Sequence, residues 1–181
     1  VGGGLSEVTF SHDGMMAFTC NTSDGTVTLI DANTKLVAST LTVGSAPVGA
    51  WSASNGKMYV DNETSQTISE ISVASMAVIN SINLGFKPGY VAYHPSNGEL
   101  WVSDATNGKV AYFTFENGVW SLAGSISTGT DAHAISFSND GSKAYVTNQG
   151  AGSVSLIEVS THNVIKIIPV GSKPNGVVLK Q

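Results

Sequence analysis

Four side chains that could bind a ligand or transfer a proton lie shortly after a recurring glycine. Asp131 and His133 lie two and four residues after Gly129, and Lys87 and Lys173 each lie two residues after another glycine of the same series. A carboxylate, an imidazole and two ammonium groups can hydrogen-bond a polar ligand, and the imidazole can also act as a general base. We predict that these four residues form a ligand-binding set.

A metal centre would need further ligands at the positions that correspond to His133 in the other copies of this glycine series. Those positions hold Ser6, Val48, Gly89 and Asn175. None of them is a histidine, a cysteine or a carboxylate, the side chains that bind zinc. We therefore predict no catalytic residue, no metal ion and no cofactor, and we expect His133 to make a hydrogen bond at the start of a strand.

The other histidines, the cysteine and one polar segment give weaker indications of a functional site. His12 and His94 follow predicted strands and His162 lies in a predicted hairpin, so we expect all three to be exposed. Cys20 is the single cysteine, which excludes an intrachain disulfide and a cysteine-based zinc site and favours a small buried residue. Residues 61–63 are polar, but they lack the regular ligand spacing of a calcium loop.

Three sequence markers recur with a period of about 42 residues. The glycines that open each copy are Gly2, Gly44, Gly85, Gly129 and Gly171, at spacings of 42, 41, 44 and 42. The glycines of a polar turn are Gly14, Gly56, Gly98 and Gly141, at spacings of 42, 42 and 43. The residues that end the second strand are Asn21, Asn62, Asp104 and Asn148, at spacings of 41, 42 and 44. Three markers in step indicate a tandem array.

Each period contains four short strands. In the last complete copy they are predicted at 134–137, 143–147, 154–159 and 164–168, with Asn148 closing the second strand through an Asx turn. Four antiparallel strands in this length are typical of one β-propeller blade. We predict an all-β fold in one propeller or part-propeller domain. The blades are placed at 2–43, 44–84, 85–128 and 129–170, and 171–181 supplies the first strand of a fifth, at 176–180.

Composition narrows the class of partner. The net charge is −5, with eight lysines and no arginine, so we predict no binding to nucleic acid, which requires a basic surface. No apolar run reaches the length of a membrane span, so none is predicted. Only 12% of the residues are charged and 41% are hydrophobic, which fits a folded protein that is extracellular, on the cell surface or periplasmic.

One strand carries a recognisable signature. The sequence at 145–148 reads Tyr-Val-Thr-Asn, with degenerate copies at 18–21, 59–62 and 101–104 and a Gly-x-x-Pro entry at 44–47 and 171–174. In these features the chain resembles the YVTN-repeat propellers of surface layers and the periplasm. The resemblance implies a β-propeller with a binding surface at the channel mouth, where Asp131, His133, Lys87 and Lys173 are expected.

Several functional hypotheses remain open at this stage. The first is a non-catalytic extracellular or cell-surface scaffold that binds other protein chains or glycans. The alternatives are part of a periplasmic enzyme or redox-enzyme subunit, lactonase-like or reductase-like, and a self-assembling half-propeller. The open strand edges at both ends fit a fragment of a larger ring, a homodimer that completes a ring, or a single four-bladed ring.

Overall fold

The computed structural model describes residues 1–179, whose strands form four antiparallel sheets of four strands each. The sheets divide between two compact units: unit 1, Val1–Pro88, and unit 2, which begins at Gly89. The described residues contain no α-helix, and one 3-10 turn, Val159–Thr161, interrupts the strands. None of these residues belongs to a helix long and apolar enough to cross a membrane. The all-β fold class predicted from the repeat is confirmed.

Unit 1 contains two sheets, which we call blades 1 and 2. Blade 1 consists of β1 (Leu5–Phe10), β2 (Met16–Asn21), β3 (Thr26–Asp31) and β4 (Val37–Thr42). Blade 2 consists of β5 (Pro47–Ser52), β6 (Lys57–Asn62), β7 (Thr67–Ser72) and β8 (Ala77–Asn83). In both blades each strand pairs with its neighbour in the chain, so three hairpins build the sheet.

Unit 2 contains blades 3 and 4, with the same order of strands. Blade 3 consists of β9 (Val91–Tyr93), β10 (Leu100–Asp104), β11 (Lys109–Glu116) and β12 (Val119–Ser127). Blade 4 consists of β13 (Ala132–Phe137), β14 (Lys143–Asn148), β15 (Ser153–Glu158) and β16 (Asn163–Pro169). Blade 3 has the shortest first strand and the longest outer hairpin of the four.

In blades 1, 2 and 4 the opening glycine approaches the asparagine that ends the second strand too closely for any side chain. A Cβ atom added to Gly44 would lie 2.7 Å from the Cβ of Asn62, and one added to Gly129 would lie 2.8 Å from the Cγ of Asn148. Both distances are shorter than real side chains tolerate. The opening glycine and the strand-ending asparagine recur together because the glycine packs against the asparagine side chain.

The asparagine marker holds the second strand to the third. Asn148 is buried, and its Nδ2 donates to the hydroxyls of Ser153 and Ser155 at 3.2 and 3.0 Å. The Asx turn predicted for Asn148 is wrong, because its Oδ1 accepts no hydrogen bond. The same pairing joins Asn21 to Thr26 and Thr28, and Asn62 to Thr67 and Ser69.

Each unit has its own apolar core between its two blades. In unit 1, Phe18 and Leu29 of blade 1 pack with Ala50 and Val60 of blade 2. In unit 2, Trp101, Val110, Ile135, Val146 and Ile157 form the corresponding cluster. Burial of these faces supplies the main stabilisation of stacked sheets.

Residues 171–179 form no strand, although a first strand was predicted at 176–180; residue 180 lies outside the described residues. A strand requires a hydrogen-bonded partner, and among residues 1–179 none pairs with this segment along its length. The segment is held by Asn175, whose backbone oxygen lies 3.0 Å from Nδ1 of His133. In unit 1 the hydroxyl of Ser6 donates in the same way to the carbonyl of Val48, also 42 residues further along the chain.

Candidate functional site

The entry turn of blade 4 places Asp131 and His133 at the start of β13. Asp131 has a left-handed backbone with φ of 55°, and Ala46 and Lys173, two residues after their own opening glycines, have φ of 54° and 51°. The carbonyl of Asp131 accepts the backbone N–H of Gln149 at 2.9 Å, which fixes the turn to the end of the second strand. The side chains of Asp131 and Lys173 are exposed and available to a ligand.

His133 is half-buried and its orientation is fixed. Its Nδ1 lies 3.0 Å from the carbonyl oxygen of Asn175, and since a carbonyl only accepts, Nδ1 carries the proton and donates it. Gln149 donates through Nε2 to Oδ1 of the same asparagine at 2.7 Å. The ring of Tyr90 lies 6.3 Å from the imidazole, centroid to centroid. His133 therefore makes the strand-end hydrogen bond expected from the sequence.

Lys87, the fourth predicted residue, belongs to unit 1. Its Nζ forms an ion pair with Oε2 of Glu63 at 2.6 Å, and 58% of the lysine side chain is exposed. An exposed ion pair of this kind contributes little stability. The structure thus places Asp131, His133 and Lys173 in unit 2 and Lys87 in unit 1.

A polar cleft of about 360 Å³ lies beside the entry turn of blade 4. Its walls are the β10–β11 turn of blade 3 and the segment that joins β12 to β13. The side chains that line it belong to Thr106, Asn107, Ser127, Thr128 and Thr130, together with two glycines. All of these groups are neutral, and hydroxyls and an amide both donate and accept hydrogen bonds. The volume lies within the range of small-ligand sites.

Backbone hydrogen bonds join the two walls of the cleft. The carbonyl of Gly108 accepts the N–H groups of Thr128 and Gly129, at 3.0 and 3.3 Å. Asp104 orients Asn107 by accepting its backbone N–H at 3.1 Å and its Nδ2 at 2.7 Å. A ligand would meet preoriented groups, which lowers the entropic cost of binding.

The cleft was not predicted from the sequence, although the sequence contains one indication of it. Asp104 stands where the other blades have asparagine, and the third-strand positions that hold hydroxyls elsewhere are Lys109 and Ala111. Neither position offers a hydroxyl, and the Asp104 carboxylate instead accepts two hydrogen bonds from Asn107. The β10–β11 turn, which forms one wall of the cleft, therefore follows the residue at which blade 3 departs from the repeat.

The exposure predicted for His94 is wrong. Only 3% of this residue is exposed, and its Nε2 donates to the carbonyl of Gly141 at 2.8 Å. Its Nδ1 accepts the backbone N–H groups of Ser96 and Asn97, so the ring holds two turns of unit 2 together. Periodicity could not reveal this role, because the partner lies 47 residues away.

His162 also has a structural role. Its Nε2 lies 3.1 Å from both carboxylate oxygens of Glu99, and its ring stacks on Tyr112 at 3.9 Å. Trp101 donates its indole N–H to the same carboxylate at 2.8 Å. The side chain of His162 is 24% exposed, so it is half-buried rather than exposed as predicted. His12 is exposed.

Unit 1 buries a carboxylate at the end of β6. Asp61 is 1% exposed, and its Oδ1 accepts the N–H of Gly49 at 2.7 Å and the indole N–H of Trp51 at 3.1 Å. Burial raises the pKa of Asp61 from 3.8 to about 7, although both hydrogen bonds oppose the rise. Burial likewise raises the pKa of Glu7.

Cys20 is fully buried, as expected for a small core residue. Burial, followed by the charges of Asp61 and Glu7, raises the pKa of its thiol to about 12. We expect no reaction with a disulfide reagent such as Ellman's reagent at pH 8 while the chain is folded, because only the thiolate attacks. Unfolding in urea should release one reactive thiol per chain, and rapid labelling of the folded protein would contradict the burial.

Within residues 1–179, no group of three or more histidine, cysteine or acidic side chains is arranged to hold a metal ion. Neither a protein-family model nor a curated protein matches the sequence. The chain is similar to solved structures, and the matches described next cover 94–99% of it.

Three solved structures illustrate that similarity. Hydrazine synthase of Kuenenia stuttgartiensis matches with a TM-score of 0.82 and 23% identity, over 94% of this chain and 51% of that one. A protein of unknown function from Desulfotomaculum acetoxidans matches with a TM-score of 0.90 and 17% identity, over 99% and 61%. The Cps50 (Swd1) β-propeller domain of Myceliophteria thermophila matches with a TM-score of 0.82 and 15% identity, over 99% and 60%.

The chain therefore spans about half to three-fifths of the length of the structures it resembles. At these identities the likeness concerns the fold alone, and the proteins that share it include enzymes and non-enzymes. Four four-stranded antiparallel sheets in chain order, together with these neighbours, establish a β-propeller fold with four blades in this chain.

Proposed function

We propose that this chain is a non-catalytic propeller scaffold that binds a neutral glycan in the polar cleft of unit 2. The observation that carries the proposal is the lining of the cleft, five hydroxyl or amide side chains and no charged one. Sugar hydroxyls donate and accept hydrogen bonds, as these groups do. A phosphate or an anionic peptide would instead require cations in the wall.

The exposed side chains at the entry turn extend this surface. Asp131 follows the cleft residue Thr130 directly, and a carboxylate can accept two hydroxyls of one sugar ring. His133 and Lys173 supply further polar groups in the same unit. A protein ligand would contact the same residues, Asp131, His133 and Lys173, and would bury a larger area of the surface.

The cleft is tested by measuring the binding of the purified chain to an array of defined neutral oligosaccharides. We expect Asn107→Ala and Thr130→Ala each to weaken the strongest interaction by about fivefold to tenfold, since each removes a hydrogen bond of about 1 kcal/mol. Replacing Asp131 should weaken it by a similar factor.

Ser160→Ala and Asn163→Ala are the matched controls. Both positions are exposed in the 3-10 turn and hairpin at the opposite end of blade 4, so binding should be unchanged. Loss of affinity in these controls, or binding that survives all the cleft substitutions, would reject the cleft as the site. Binding to protein partners alone, with no oligosaccharide retained, would reject the glycan.

We also propose that the chain is a YVTN-repeat propeller that works outside the cytoplasm, on the cell surface, in the medium or in the periplasm. The signature at 145–148 and its three degenerate copies support this assignment. The hydroxyl-rich strands and the low charge fit the same environment. The alternative is part of a periplasmic enzyme or redox-enzyme subunit, lactonase-like or reductase-like, and its support is the fold that this chain shares with such enzymes.

A further inference from the structure

We propose that a pocket at the ends of β9 and β13 binds a small quaternary ammonium compound. The pocket has a volume of about 450 Å³ and lies within unit 2. The residues that line it are Tyr93, Pro95, Phe137, Ser138 and Asn139. The polar cleft lies beside the other end of β13, where that strand begins. The inference therefore concerns a second site, and it stands or fails independently of glycan binding.

Two aromatic side chains form much of the apolar part of the pocket. Tyr93 is the last residue of β9 and Phe137 is the last residue of β13, so the two rings come from corresponding positions of blades 3 and 4. Both residues are half-buried. The faces of aromatic rings carry partial negative charge and attract cations, above all organic cations with an apolar surface.

His94 fixes the two walls of the pocket relative to each other. It follows Tyr93 directly, and its Nε2 donates to the carbonyl of Gly141, in the turn after β13, at 2.8 Å. Its ring meets that of Phe137 edge to face, with centroids 4.6 Å apart and planes at 80°. The ring of Trp101 contacts Phe137 in a similar way, at 5.1 Å and 78°. Phe137 is therefore oriented before a ligand binds, which lowers the entropic cost of binding.

The charge beside the pocket favours a cation. The described residues that line it include no lysine, and the one adjoining charge is that of Asp140, whose carboxylate accepts the hydroxyl of Ser138 at 2.6 Å. Hydrogen bonds from Ser138 and Ser142 lower the pKa of Asp140 to about 2, so this carboxylate is ionised at neutral pH. Because Asp140 is exposed, its attraction for a cation should be modest and should weaken as salt is added.

A quaternary ammonium group fits this lining better than a primary one. A primary ammonium ion has three N–H donors and is strongly hydrated, so it needs an acceptor for each donor. The hydroxyl of Ser138 is already engaged, since it donates to Asp140 and accepts the backbone N–H of Lys143 at 2.9 Å. A quaternary ammonium group has no donor to satisfy, and its methyl groups can contact the aromatic rings.

The corresponding place in unit 1 lacks the second ring. There β1 ends at Phe10, but β5 ends at Ser52. The turn after β1 is otherwise built like the turn after β13, since the hydroxyl of Ser11 donates to the carboxylate of Asp13 at 2.6 Å. The pair of aromatic rings is thus not required by the turn, and unit 1 supplies matched control positions.

A titration with two ligands of equal shape tests the need for charge. Choline, and neohexanol as its neutral analogue with carbon in place of nitrogen, would each be added to the isotopically labelled wild-type chain. The amide NMR signals of Ser138 and Asn139 report binding. We expect choline to bind with a Kd of about 1 mM, as is usual for so small a ligand. Neohexanol should bind about fivefold to thirtyfold more weakly, because it lacks the attraction between cation and rings.

Equal affinities for the two ligands would overturn the proposal, and so would the absence of any shift with choline. A peptide containing trimethyllysine presents the same cation as part of a protein. Tighter binding of this peptide than of choline would assign the pocket to a protein ligand and overturn the small-molecule assignment. Equal or weaker binding of the peptide supports that assignment.

Two pairs of variants locate the site. Asp140→Asn should weaken choline binding about threefold, since it removes one partly screened charge, and Asp13→Asn should not. Tyr93→Leu should weaken it about fivefold, and Phe10→Leu should not. Circular dichroism checks that each variant is folded, and Asp140→Asn changes an exposed residue, so the test does not depend on Tyr93→Leu. Choline affinity that is unchanged in Asp140→Asn, or lowered equally by the controls, would reject the pocket as the site.

Discussion

Replacing Gly129 with alanine is expected to lower the free energy of unfolding by about 2 kcal/mol, which corresponds to roughly 4–8 °C in Tm for a chain of this size. The added methyl would lie 2.8 Å from Cγ and 3.1 Å from Cβ of Asn148. Asn148 cannot move aside, because it is fully buried and bonded to two serines of β15. The measurement is thermal and urea unfolding followed by circular dichroism.

Gly171→Ala provides the matched control, since Gly171 occupies the same position in the repeat. A Cβ atom added there would have no neighbour within 4 Å. Its effect should stay within about 0.5 kcal/mol. Equal losses for the two variants would mean that the glycine is required for the conformation of the turn and not for the contact with asparagine.

The second large effect is a loss of stability as pH rises from about 4 to 7. Asp61 has its pKa raised from 3.8 to about 7, so in this range the folded chain keeps a proton that the unfolded chain releases. The free energy of unfolding should therefore decrease with rising pH, by at most about 4 kcal/mol, and level off above the folded pKa. The raised pKa of Glu7 acts in the same direction.

Asp61→Asn isolates this effect. The amide oxygen can still accept from Gly49 and Trp51, but no charge is created at high pH. Urea unfolding at pH 4.5 and pH 8 should show a much smaller difference in the variant, which should be the more stable protein at pH 8. An unchanged difference would mean that Asp61 is not the group responsible.

The repeat made most of the fold predictable. Opening glycines and strand-ending asparagines mark contacts that recur in blades 1, 2 and 4, so their spacing revealed the period and the four strands. The second strand at 143–147 was predicted within one residue of β14, which the structure gives as Lys143–Asn148. The spacing could not reveal why the asparagines recur. The structure shows the reason, which is a hydrogen bond from the asparagine amide to hydroxyls of the third strand.

The site was harder to predict because it depends on departures from the repeat. Asp104 breaks the asparagine pattern and orients Asn107 at the cleft, but only the three-dimensional arrangement shows that the turn at 105–108 meets the residues at 127–130. His94 and His162 belong to pairings 47 and 63 residues apart, which no local pattern encodes. These two histidines thus have structural roles, since they connect segments that are distant in the sequence.

The blades use buried histidine, carboxylate and hydroxyl side chains in structural hydrogen bonds. The cleft of unit 2, in contrast, is lined by neutral polar groups that can form several hydrogen bonds with a ligand.

The most direct test of the account is to measure binding and turnover on the same sample. The best oligosaccharide from the array would be titrated into the wild-type chain by calorimetry, and the mixture then analysed for cleavage products, with a sugar lactone as a second probe. We predict saturable binding of the oligosaccharide that Asn107→Ala weakens, and no conversion of either compound. Cleavage of the glycan, or hydrolysis of the lactone that Asp131→Ala or His133→Ala abolishes, would show that this propeller is an enzyme and not a scaffold.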